Sequence, residues 1–260
     1  FSTSQPYIKD RIQQSFQDKS LITANYFAND YRRGKYLFND CVILQTLVNW
    51  SGLDSIAGTL SSTIVLSETP PCEILNQALR DPQSPIQKYS YSRYYWGAKA
   101  LVGPALAAAS IDTIKGILSG SVYAVLVASV LVAAYKLWWG LYANPELGAT
   151  VLVFTAGMLT LYDLRGYTLT FAHGFSELVL ASYLLYAAAR PNGVKAGTVD
   201  LGLIIFGAAT AWFELLTGPM LIAIAMACLI EYSAANPLKR TQWNAIKAAC
   251  LVASSIAVSF

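Results

Sequence analysis

From about Gly120 onward the chain repeats one pattern: long runs of Val, Leu, Ala, Ile and Phe, broken by short clusters of Pro, Gly and charged residues. The runs are Gly120 to Tyr142, Leu147 to Leu161, His173 to Ala189, Val199 to Thr217, Pro219 to Tyr232 and Ala245 to Phe260. A helix needs about 20 apolar residues to cross a hydrocarbon core about 30 Å thick. The first run reaches that length and several others lie at the short end of it. The pattern predicts a mainly α, polytopic helical membrane protein with about six spans.

Residues 1–96 are patterned differently. Tyr7, Ile8, Ile12 and Phe16 fall at helical spacing with Lys9, Asp10 and Arg11 between them, which predicts a short amphipathic helix opened at Ser4 to Pro6. A turn is expected at Arg33-Gly34-Lys35, and the apolar run that follows, Cys41 to Val48, is too short to cross a bilayer. Ser51 to Ser67 reads as loop. Glu73 to Arg80 reads as one or two helical turns stopped by Asp81-Pro82.

Tyr89, Tyr91, Tyr94, Tyr95 and Trp96 then crowd beside Lys88 and Arg93, the composition of a membrane-water interface. Gly103 and Pro104 interrupt the next apolar stretch, so an interfacial or re-entrant helix is expected over 97–115. The expected division is a polar, mostly helical extramembrane head over 1–96, this interfacial helix, and a transmembrane bundle over 116–260. Phe1 is not an initiator methionine and no signal pattern opens the head, so an upstream transmembrane helix is expected, with a removed signal segment as the alternative; Phe260 ends a run that is still apolar, so the last span or the chain is expected to continue beyond it.

Composition agrees with membrane residence: 55% of residues are hydrophobic and 13% charged, against about 25% charged in average soluble domains. A net charge of +3 without a block of basic residues argues against a nucleic-acid partner. There is no phosphate-cradling glycine loop, nucleophile elbow, dinucleotide fingerprint or zinc-ligand spacing. The sequence indicates no particular cofactor. Cys41 and Cys72 either close a disulfide loop of about 30 residues, if the head faces an oxidising compartment, or are two separate buried thiols. Asn49-Trp50-Ser51 matches the N-glycosylation acceptor pattern, a short match that is common by chance.

Basic residues concentrate in alternate connections: Lys136, then Arg190 and Lys195, then Lys239 and Arg240. Those connections are expected to be cytoplasmic. The head, the segment from Asp163 to Phe171 and the turn Thr217-Gly218-Pro219 then share the opposite face. On that face His173 and Glu177 are four residues apart and fall on one side of a helix. Glu214 lies about one turn below the outer end of its own span, where a carboxylate must be paired or face water.

Asp40, His173, Glu177 and Glu214 are the candidate catalytic groups, and Arg165, Asp163 and Arg93 the candidate substrate-binding ones. A carboxylate there could act as base, His173 could share its proton, and Arg165 could neutralise a phosphate. Each has a plainer role open to it: a loop ion pair for Asp163 and Arg165, an interfacial residue at a helix start for His173, a helix-helix hydrogen bond for Glu214. Glu231 and Asp200 are expected to be solvated, and Lys99, Lys115 and Lys136 to reach the headgroups.

SRYYWGAKALVGPAL and TAWFELLTGPMLIAIAMA resemble segments of a group of bacterial polytopic membrane proteins, itself similar to membrane glycosyltransferases of the GT-C type. The resemblance implies a polyprenyl-phosphate sugar donor and an acid in the first extracytoplasmic loop, for which Asp40 in FNDC is the candidate. Such enzymes have more than ten spans, and about six are visible here. The expected function is glycosyl transfer on lipid-linked sugars at the extracytoplasmic face of a bacterial inner membrane. The alternatives are a non-catalytic subunit or assembly factor bound to membrane-protein partners and, third, a proton-coupled transporter.

Overall fold

The computed structural model describes residues 5–23, 31–48, 62–65, 69–81, 88–91, 97–160, 164–191, 196–213, 218–235 and 242–258. The chain is mainly helical and its contacts divide it into two compact units, 1–119 with 165–175, and 120–164 with 176–260. The units divide at Ser119, with a later return of 165–175 to the first of them.

In the first unit, α1 (Gln5–Gln17) and α2 (Tyr31–Val48) precede β1 (Ser62–Val65), α3 (Pro71–Arg80), β2 (Lys88–Tyr91) and α4 (Gly97–Ala108). Helix α1 buries Ile8, Ile12 and Ser15, while Tyr7, expected on the same face, is exposed. The reason is the i, i+4, i+7 stripe, which Ile8 starts and which leaves Tyr7 to one side. Helix α2 runs through the expected turn at Arg33-Gly34-Lys35, since one glycine costs a helix only about 1 kcal/mol.

Helix α3 has Pro71 at its first position, where the missing N–H is not needed, and buries Cys72, Ile74 and Leu75. A disulfide joins Cys41 of α2 to Cys72 of α3, with Cα atoms 5.0 Å apart. Gln45 adds a second tie between these helices by donating to the Pro71 carbonyl at 2.7 Å. The two short strands pair antiparallel, Ser62 opposite Tyr91 and Val65 opposite Lys88. Helix α4, expected at the membrane interface, packs on α1 and α2 and buries Ala98, Lys99, Val102 and Leu106.

Helix α5 (Ile111–Trp138) starts well before the expected Gly120. Ser110 caps it, its Oγ accepting from the Thr113 N–H at 3.2 Å. This helix alone among the described residues is long and apolar enough to cross a membrane by itself, with a mean hydropathy of 2.2. The short helix α7 (Leu164–Thr168) and a turn over 169–173 lead back into the first unit.

The second unit contains α6 (Pro145–Thr160), α8 (Gly174–Ala189), α9 (Ala196–Phe213), α10 (Gly218–Ala234) and α11 (Gln242–Val258). With α5 these helices occupy the six expected apolar runs. Helix α11 packs against α9 and α10, and α10 also packs against α6. Tyr183 of α8 stacks on Phe206 of α9 with ring centroids 4.1 Å apart. Gly148 lets α6 approach closely, because a Cβ there would lie 2.7 Å from both Leu137 and Tyr142.

Polar side chains close the helix ends of this unit. Asn144 caps α6, its Oδ1 accepting from the Glu146 N–H at 3.2 Å, and its Nδ2 donates to the carbonyls of Ser233, in the last turn of α10, and Ala235, just past it. Lys136 and the Tyr142 hydroxyl donate to the last carbonyls of α8, at Ala188 and Arg190. Arg190 in turn holds both oxygens of Glu231 at 2.9 and 3.0 Å. Glu231 is therefore paired and largely buried instead of solvated, and Lys136 serves a helix end instead of a headgroup.

Candidate functional site

Asp40, the candidate acid, is wholly buried in the first unit. It sits on α2 directly before the disulfide half Cys41, so α2 cannot shift there without moving α3. Lys115, in the second turn of α5, forms an ion pair with its Oδ2. The Phe171 N–H donates to its Oδ1 at 2.7 Å. One carboxylate thus holds together a head helix, the start of α5 and the returning segment of the chain.

The surroundings reinforce that arrangement. The Lys115 ammonium lies 5.3 Å from the centre of the Phe171 ring, within range of a cation–π contact. His173 is buried, its Nε2 lies 3.5 Å from Asn39 Nδ2, and its N–H donates to Thr170 Oγ1 at 3.1 Å. Tyr167 meets the imidazole edge-on, with ring centroids 5.0 Å apart. The Thr168 hydroxyl joins that of Ser119 at 2.9 Å. At Gly174 a Cβ would run into Leu118 and lie 3.0 Å from the Thr168 carbonyl oxygen, so a larger residue at the turn into α8 would have to push Leu118 aside.

Burial pushes the Asp40 carboxyl above the ordinary carboxylate range, and the Lys115 ammonium, the Phe171 N–H and His173 pull it back only in part. With no exposed surface and a contact at each oxygen, the group is built as an anchor.

The other candidates separate. Arg165 is in the same unit but exposed, with its carbonyl accepting from Thr168 Oγ1 at 3.3 Å. Glu177 is wholly buried in the first turn of α8 and belongs to the second unit. His173 directly precedes that helix. Asp163, Arg93 and Glu214 lie outside the described residues, as do Asn49 and the aromatic residues Tyr94, Tyr95 and Trp96. Among the described residues, no three His, Cys, Asp or Glu side chains gather at a metal-binding spacing.

Lys115, like Lys99, Lys136 and Glu231, is a residue that sequence reasoning misplaced. A lysine near the start of an apolar run ordinarily extends to the headgroups, yet this one is buried against Asp40. Asn39, Thr170 and Phe171 also escape notice in the sequence, because their roles depend on a chain return that no local pattern records. Comparison with family models, curated proteins and solved structures finds no match to this chain.

Proposed function

We propose that this chain is a polytopic membrane protein of a bacterial inner membrane, with a disulfide-closed head on the extracytoplasmic side, acting as a non-catalytic subunit or assembly factor. The observation that carries the functional part is Asp40: its two oxygens are engaged by Lys115 and the Phe171 N–H, in a site with no exposure. A charged pair of this kind fixes how helices dock and adds little net stability.

The membrane part is supported by what the bundle leaves outside. Large apolar side chains are exposed along its helices, including Val127 and Leu131 on α5, Val153 on α6, Ile205 on α9 and Leu221 on α10. Helix α5 is itself long and apolar enough to cross a membrane. The extracytoplasmic placement of the head is supported by the Cys41–Cys72 disulfide, since such bonds persist in oxidising compartments.

Glycosyl transfer from a polyprenyl-phosphate sugar is the second reading, favoured by the meeting of Asp40 with the Tyr167 to His173 segment in one unit. One experiment separates the two. Purification from native membranes should yield a stoichiometric membrane-protein partner and no turnover of a polyprenyl-phosphate sugar. A partner-free protein that transfers sugar would replace the subunit reading with the enzymatic one.

A further inference from the structure

Asp40 and Cys41 are consecutive on α2, so the carboxylate that anchors the head and the sulfur that closes its disulfide share one helical turn. Cys41 and Gln45, four residues apart and on one face, hold the start of α3 through Cys72 and the Pro71 carbonyl. Asp40 points elsewhere, to Lys115 and to the Phe171 N–H at 2.7 Å. A one-residue slip of α2 would turn Asp40 about 100° around the axis and carry it about 1.5 Å along it. That hydrogen bond, which needs roughly 2.7–3.2 Å, would be lost. Asp40, Cys41 and Cys72 are wholly buried, and all these residues belong to the first unit.

We propose that closure of the Cys41–Cys72 disulfide is a redox switch that seats Asp40: α2 takes the register that pairs Asp40 with Lys115 and Phe171 only in the oxidised chain. The step is thiol–disulfide exchange with a disulfide-bearing oxidant. The two thiols give up two protons and two electrons, the bond between their sulfurs forms, and the oxidant's own disulfide is reduced to two thiols. A buried ion pair gives little net stability once the desolvation of its charges is counted, so Asp40 and Lys115 do not order α2 by themselves. The cross-link does, because it removes conformational freedom from the open chain before the pair forms. Once closed, both cysteines are out of contact with solvent, so the switch acts during assembly and then stays set. Every contact it uses lies in the first unit, and the inference stands apart from the membrane reading.

The test is acylation of lysines in the full chain by a water-soluble succinimidyl ester, read residue by residue by mass spectrometry. In the oxidised wild type the buried Lys115 should react at least about tenfold more slowly than the exposed Lys19. Cys41→Ala with Cys72→Ala should raise the Lys115 rate about tenfold, with helix content by circular dichroism unchanged. Asp40→Asn should release Lys115 in the same way while the disulfide still forms on non-reducing gels, which places the pair after the bond. Lys115 equally protected in the cysteine-free variant would overturn the inference. So would release of Lys115 only together with a general loss of helix, or failure of the disulfide to form in Asp40→Asn.

Discussion

The Lys115 ammonium is ion-paired with the buried Asp40 carboxylate, tying the start of the longest helix to the head. Removing either partner strands a charge away from water, whereas removing both does not. Lys115→Met alone should destabilise the first unit by about 3–5 kcal/mol, and Asp40→Asn with Lys115→Met by far less. Thermal or denaturant melting of the detergent-solubilised protein, followed by fluorescence, measures both. Equal losses in single and double variants would show that the pair is not coupled.

The same pair sets a pH dependence. Burial holds the Asp40 carboxyl above its ordinary value, so the native state keeps this proton at pH values where the unfolded chain, near pKa 3.9, has released it. Its contribution to stability is complete below the unfolded value and is lost as pH rises through the raised native one. Melting temperature should therefore fall across that window, and Asp40→Asn should flatten the fall. A slope unchanged in that variant would assign the effect to other groups.

Reduction of the Cys41–Cys72 disulfide, which spans a sequence separation of 31, should cost about 3–4 kcal/mol on the chain-entropy model. Cys41→Ser with Cys72→Ser should melt at the same lowered temperature as the reduced wild type. Mobility on non-reducing gels and the melting curve read the result together. Protein taken from cells with both thiols free would contradict the extracytoplasmic placement.

Gly174 stands where α8 begins, against Leu118 and the Thr168 carbonyl. Gly174→Ala should cost about 1–3 kcal/mol by overpacking. Gly120→Ala is its control, since a Cβ there meets nothing within 4 Å. Comparable losses in both variants would point to a general helix effect instead of this contact.

The apolar runs made these helices legible, because a hydrophobic run of that length leaves few alternatives to a helix. Helices α6, α8, α9, α10 and α11 lie within a few residues of their expected places. The errors fall where sequence neighbours say little about spatial ones. Ser62 to Val65 sits in a stretch read as loop and gains strand character by pairing with Lys88 to Tyr91, a non-local event. Asp112 and Lys115 looked like the end of one helix and instead begin another, because a serine cap and a distant aspartate accommodate them. Asp40 and His173 were visible as candidates, but the partners that immobilise Asp40 were not.

The most direct test of the proposed anchor role is activity set against assembly in the Asp40→Asn/Lys115→Met double variant. Inserted in native membranes, it should keep the partner stoichiometry of the wild type, and neither protein should transfer sugar from a polyprenyl-phosphate donor. Sugar transfer by the wild type that disappears in a double variant of unchanged stability would contradict it, and would make Asp40 a catalytic group.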